Sequence, residues 1–256
     1  MCILFVAYQV HPDYPLIVCA NRDEFHHRPT QGLHQWQQPQ GIIAGKDLEA
    51  GGTWLGINQR SQFAALTNIR MPQLQQQDMR SRGDLVLQAL DDTHPLDSQW
   101  LQANSQQYNP FNLVFEQNQQ LQCYNSVNQT TTALSSGFHA VSNGELDDVW
   151  PKMAKGTQAL QRYVNQLLED KTAPNMLQLS ALMKDETLAE DSELPQTGVA
   201  LEWERLLSAI YIKHPEYGTR ATSIVLRHRS GQMQIMELRF DGKGRQLGSE
   251  TFTVTP

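Results

Sequence analysis

The stretch Cys2-Ile-Leu-Phe-Val-Ala-Tyr-Gln-Val10, continued by His11-Pro-Asp-Tyr-Pro15, Leu16-Ile-Val-Cys-Ala20 and Asn21-Arg-Asp-Glu24, decides the fold. Two apolar runs around a proline-rich turn predict strands over residues 2–9 and 15–20, joined as a hairpin. In a tight antiparallel hairpin, the end of the second strand lies beside the start of the first. The polar tail at 21–24 is therefore expected next to Cys2.

That neighbourhood has chemical consequences. Removal of Met1 would leave Cys2 with both a thiol and a free α-amine. The unperturbed amine titrates near pKa ~8 and the thiol near ~8.5, so one residue supplies a nucleophile and its own base. The plain alternative for Cys2 is a small buried residue at a strand start. Asp23 is placed to hold the ammonium or orient the amine, and Arg22 and Glu24 to pair with each other or with a substrate. A solvated turn is the plain alternative for all four polar residues.

Outward from the hairpin, a loop containing Pro29, Gly32, Pro39 and Gly41 is expected. Residues 53–58 and 63–67 predict a second hairpin. Ser81-Arg-Gly-Asp84 has capping-box spacing, so a helix is expected from about 82. A further helix is expected over 97–104, a strand pair over 112–116 and 121–126, and a strand over 137–142. After Trp150 the apolar period lengthens, predicting helices over 151–169, 174–185 and 199–212 with an acidic surface loop at 184–197. Residues 219–228, 233–240 and 248–254 predict a closing meander. Strands at both ends with helices between predict one α+β domain over 1–256.

Composition narrows the function. A formal charge of -7 and the lack of any Lys/Arg run argue against nucleic acid as a main partner. No apolar run approaches the ~20 residues that span a bilayer, and neither a secretory nor a lipoprotein signal is legible. Three cysteines (Cys2, Cys19, Cys123) without C-x-x-C spacing fit a reducing, cytoplasmic setting.

Asn68 and Asn143 each close a strand. Both are ordinary turn residues, and both are candidate donors to a developing oxyanion. Gly51-Gly-Thr-Trp54 turns into a strand; Trp54 reads first as core, with substrate contact as the alternative. Arg220, in Tyr217-Gly-Thr-Arg220, is placed to clamp an anionic group. His26 and His27 point to opposite faces of an extended chain and have no partner spacing, so no metal site is expected.

Taken together, Cys2, Asn21-Arg-Asp-Glu24, Gly51-Gly-Thr-Trp-Leu-Gly56, Leu66-Thr-Asn68, Ser81-Arg-Gly83, Phe111-Asn-Leu113, Ser142-Asn143, Trp150-Pro-Lys152 and Tyr217-Gly-Thr-Arg220 resemble the NRDE family, also called the transport and Golgi organisation protein 2 family. The match spans nearly the whole chain in order. The family resembles the N-terminal nucleophile hydrolases, which implies a four-layer αββα sandwich. A more distant similarity to penicillin V acylase and bile salt hydrolase implies Cys2 as nucleophile, Asp23 at its amine, and Asn68 and Asn143 at the oxyanion, with Arg220 a looser match. Those acylases carry an Arg three positions before the Asp. This chain has Ala20 there, and Arg22 is expected to face differently.

The expectation is a hydrolase of linear, non-peptide amides that needs no cofactor. Its catalytic set is Cys2, Asp23, Asn68, Asn143 and Arg220. Asn21, Arg22, Glu24 and Trp54 contact a small amide or acyl ligand. The rival is a haem or lipid-like ligand carrier on the same fold, without turnover.

Overall fold

The N-terminal hairpin forms with β1 (Cys2–Tyr8) antiparallel to β2 (Leu16–Phe25), Cys2 opposite Arg22 and Tyr8 opposite Leu16. The computed structural model describes residues 2–91 and 96–255. Met1, whose removal the nucleophile reading requires, lies outside the described residues. β2 runs five residues beyond the expected boundary, so Asn21-Arg-Asp-Glu24 is strand and not turn. Pairing on both sides holds it extended.

The chain continues with β3 (Thr30–Gln35), β4 (Ile42–Asp47), β5 (Leu55–Asn58), β6 (Phe63–Asn68), α1 (Gly83–Leu90) and α2 (Ser98–Asn104). Then come β7 (Phe111–Gln117), β8 (Gln120–Asn125), β9 (Thr130–Ala133), β10 (Gly137–Val141), α3 (Pro151–Asp170), α4 (Met176–Leu182) and α5 (Leu201–Leu206). The meander β11 (Tyr217–Arg227), β12 (Met233–Phe240) and β13 (Gln246–Val254) closes it.

The protein is α+β with two antiparallel sheets. One has the order β10-β1-β2-β11-β12-β13, and the other runs β3 to β9 in sequence order. Alternation along β1 sends its side chains into two different cores. Leu4, Val6 and Tyr8 pack between the sheets, against Ile57, Phe63 and Val114. Ile3, Phe5 and Ala7 pack beneath α3 and α4, against Leu160, Val164 and Leu179. On the far side of the second sheet, Ala44, Leu66 and Leu113 meet Leu85 and Val86 of α1 and Leu101 of α2.

Several expectations need correction. Residues 30–35 and 42–47 are strands, although the interval was expected to be loop. Their glycines and glutamines hide a pairing that neighbouring strands supply. β9 was likewise not foreseen; it is a short, largely exposed edge. The capping box does not form, since Arg82 occupies the N-cap position with no side-chain bond to the helix. α5 ends at Leu206 rather than 212, because residues 207–212 turn back to join β11. α3 follows its signals: Pro151 in its first turn and Lys171, with φ 53°, as its left-handed C-cap.

Gly156 is where α3 touches the sheet. A Cβ there would stand 2.0 Å from Phe5 Cζ, inside a fully packed ring. Gly156→Ala is expected to destabilise the protein by about 1–3 kcal/mol, because overpacking outweighs the ~1 kcal/mol gain in helix propensity. Urea denaturation measures this, and adding Phe5→Leu should recover part of the loss.

Candidate active site

Where β1 begins and β2 ends, the two sheets leave a cleft of about 310 Å³. Cys2, Arg22, Asp23, Glu24, Trp54 and Asn68 line it. Three strands, β1, β2 and β6, and the turn before β5 therefore deliver groups that the sequence scatters over 67 positions.

Cross-strand pairing puts Arg22 on the same face as Cys2, because directly opposed residues share a face of the sheet. Ala20 lies two residues earlier on that face, among the inter-sheet core. Arg22 thus shares the face of Ala20, and the expectation that it faces differently is corrected: positions two apart on a strand point alike. Its guanidinium lies 4.4 Å from the Trp54 ring centroid and donates to Asp47 Oδ2 at 3.1 Å and Thr30 Oγ1 at 3.3 Å. Trp54 is therefore both core and the floor under Arg22.

Asp23 is buried and points toward the helices, where Oδ1 accepts from the Thr219 hydroxyl at 2.7 Å. Burial pushes its carboxyl up; Lys152 and the Thr219 bond pull it back. Burial also pushes the Cys2 thiol up, with Asp23 and Glu24 adding to the rise and Arg22 opposing it. A thiol so placed needs a nearby base to become a nucleophile. Glu24 accepts from the Phe25 amide at 2.8 Å and approaches Arg28 at 3.9 Å.

Three expected site residues sit elsewhere. Asn21 is buried away from the cleft; its Nδ2 donates to the Met183 carbonyl at 2.9 Å and the Ile210 carbonyl at 2.8 Å, and its Oδ1 accepts from Thr222 at 2.6 Å. It ties β2 to the helical layer and contacts no ligand space. Arg220 occupies the extra position of a bulge between Thr219 and Ala221 and donates to the carbonyls of Phe25 at 2.8 Å and Arg28 at 3.1 Å. It braces the turn after β2 instead of clamping a ligand. Asn143 directs its Nδ2 to the Asn68 carbonyl at 2.9 Å, so it holds the Asn68 backbone rather than donating into the cleft.

The sequence reading missed what lies behind Asn143. Its Oδ1 accepts from Arg70 Nη2 at 3.2 Å and Lys152 Nζ at 3.4 Å. Arg70 in turn pairs with Glu204 at 2.5 Å, both buried, and Glu204 accepts from the Thr197 amide at 3.0 Å. Lys152 Nζ also donates to the Leu207 carbonyl at 2.9 Å. Burial, reinforced by Arg70, drives the Lys152 ammonium down to about 7. Trp150-Pro-Lys152 was visible in the sequence, but a lysine on an amphipathic helix normally reads as solvated. Among the described residues no cluster of His, Cys, Asp or Glu could hold a metal ion, and His26 Nε2 lies 2.9 Å from the His214 carbonyl. Among the described residues no helix is long and apolar enough to cross a membrane.

Known proteins show the same arrangement of sequence. A family model described as Transport and Golgi organisation 2 matches residues 1–242. A Transport and Golgi organization protein 2 homolog from Homo sapiens is 33% identical over 261 residues, 93% of this chain and 92% of that protein. The Bos taurus homolog is 31% identical over the same shares. Transport and Golgi organization protein 2 of Drosophila melanogaster is 26% identical over 94% of this chain and 93% of that protein.

Lys152 makes stability depend on pH in a predictable direction. Its folded pKa lies below the ~10.4 of an unfolded lysine, so between about pH 7 and 10 the unfolded state binds more protons and stability rises with pH. Lys152→Met lacks this term. The variant's stability relative to wild type is therefore expected to fall as pH rises from about 7 to about 9, as read by urea denaturation in buffers across that range. A difference that is flat in pH would remove the buried ammonium from the account.

Proposed function

The chain belongs to the Transport and Golgi organisation 2 family, and from that premise we propose that it hydrolyses a linear, non-peptide amide with Cys2 as an N-terminal nucleophile. The observation that carries this reading is the convergence of Cys2, Arg22, Asp23 and Asn68 on one cleft. Two face-to-face sheets with helices on their outer faces support the four-layer αββα sandwich of N-terminal nucleophile hydrolases.

Met1 is removed, and Cys2 then carries the free α-amine. The amine takes the thiol proton as sulfur attacks the amide carbonyl, forming the C–S bond. The carbonyl electrons move onto oxygen, and the Asn68 amide stabilises that charge. When they return, the C–N bond breaks and the ammonium gives its proton to the departing amine. Water, deprotonated by the same α-amine, attacks the thioester; the acid leaves and the thiol is restored. Asp23, fixed by Thr219, holds the amine, and Asn143 holds the strand end that carries Asn68. Arg22, spread over Trp54 and anchored by Asp47, keeps positive charge beside the thiolate.

Protein lacking Met1 is expected to gain one acyl group at Cys2 on reaction with a β-lactone probe, read by intact and peptide mass spectrometry. Equal labelling of Cys2→Ala would overturn the assignment. Asn68→Ala is expected to lower kcat by about 10²–10³-fold, the usual effect of losing one oxyanion donor. A stoichiometric haem spectrum that survives Cys2→Ala, without turnover, would instead favour a ligand carrier.

A further inference from the structure

The cleft holds more positive charge than the proposed reaction uses. Arg22, Arg28, Arg80 and Arg82 line it, against Asp23, Glu24 and Asp47, in a chain of formal charge -7. Asp47 Oδ2 accepts from Arg22 at 3.1 Å and Arg28 at 2.6 Å. Arg28 also reaches Glu49 at 3.2 Å. Arg80 is exposed; it lies over the Tyr108 ring and donates to Gln107 at 3.1 Å.

Arg82 stands apart. It is half-buried, and its Nη1 donates to the Pro110 carbonyl at 3.2 Å. Among the described residues it has no carboxylate within ion-pair distance. Burial pulls its pKa below the ordinary arginine value, and Glu24 only opposes that pull. A guanidinium removed from water without an anion is costly, and a ligand anion relieves that cost.

Its position is fixed by backbone. Gly51-Gly-Thr-Trp54 and Ser81-Arg-Gly83 cross so closely that a Cβ on Gly52 would meet Gly83 C at 2.5 Å. The Thr53 amide donates to the Gly83 carbonyl at 3.3 Å across this crossing. Both motifs thereby serve to hold Arg82 at the rim of the space that contains Cys2.

We infer that Arg82 anchors a carboxylate on the substrate, so that the amide cleaved at Cys2 carries a second, anionic end; this rests on the hydrolase reading of Cys2. Asp47 and Glu49 already meet Arg22 and Arg28, so Arg82 is the partly buried cleft arginine left without a carboxylate among the described residues, and one monoanionic group balances it. The planar guanidinium fork matches a carboxylate edge.

The test uses three anilides of similar size: N-phenylsuccinamic acid, the neutral N-phenylbutanamide, and a phosphonate analogue of the first. Calorimetric titration of the full chain carrying Cys2→Ala is expected to show the carboxylate binding at least tenfold tighter than the neutral amide, with a preference that shrinks as salt rises. Arg82→Gln should abolish that preference and Arg82→Lys should retain part of it, in variants whose circular dichroism melts match the parent. Equal binding of acid and neutral amide overturns the inference, and so does a preference untouched in Arg82→Gln. Tighter binding of the phosphonate overturns the carboxylate assignment. Should Arg82→Gln fail to fold, Arg82→Lys and the salt dependence decide. Cys2 acylation by p-nitrophenyl hemisuccinate and p-nitrophenyl butyrate in the wild type separates the two readings. Loss of both acylations with the binding preference intact sinks the hydrolase but leaves the carboxylate site. Acylation by both at equal rates keeps the nucleophile and removes the site.

Discussion

The arrangement around the cleft depends on the register in which β1 and β11 flank β2. Cys2 stands opposite Arg22, and Thr219 stands opposite Asp23. A one-residue slip in either pairing would turn Arg22 toward the helices and Asp23 into the inter-sheet core. Burial on both faces of β2 makes such a slip costly. Val18 and Ala20 belong to the core between the sheets, while Ile17 and Cys19 belong to the core under the helices. The same register assigns different tasks to alternate residues of Asn21-Arg-Asp-Glu24. Asn21 and Asp23 bond toward the helical layer, and Arg22 faces Cys2.

The bulge in β11 is the second constraint. It inserts Arg220 between Thr219 and Ala221, so residues on either side of it resume pairing with β2 one position out of step. Thr219 and Thr222 consequently face the same side and reach Asp23 and Asn21. The price of this alignment is the displacement of Arg220, which bonds to the carbonyls after β2. Without the bulge, Arg220 would sit opposite Arg22, and two guanidinium groups would compete for one face.

Behind the cleft, charge is buried in a connected set. Arg70, Glu204, Lys152 and Asn143 bond in a chain that ends on the Asn68 carbonyl. A buried ion pair of this kind stabilises little by itself, yet breaking one member leaves an uncompensated charge. The set therefore acts on geometry: it fixes the end of β6, where Asn68 enters the cleft. On the opposite wall, the Gly52–Gly83 crossing fixes Arg82 by backbone contact. One wall is held by charge pairing and the other by the absence of side chains.

Alternating apolar runs made the hairpin, the meander and the long helix α3 legible, because their periods are written in adjacent residues. Asp23 near Cys2 followed from hairpin geometry alone, whereas Arg22 on the face of Cys2 emerged only from the strand pairing. β3 and β4 were illegible, since Thr30–Gln35 is polar and becomes strand only through its neighbours. The roles of Asn21, Asn143 and Arg220 were also beyond the sequence, for they depend on carbonyls 75 to 195 positions away. Lys152 gave no local sign of burial. The sequence by itself determined which strands and helices exist at strong periodic segments, and that Cys2 would meet the polar end of β2. Only the tertiary structure decided which of those polar side chains reach the cleft, because strand facing, a bulge and long-range burial are set by pairing partners that no local pattern records.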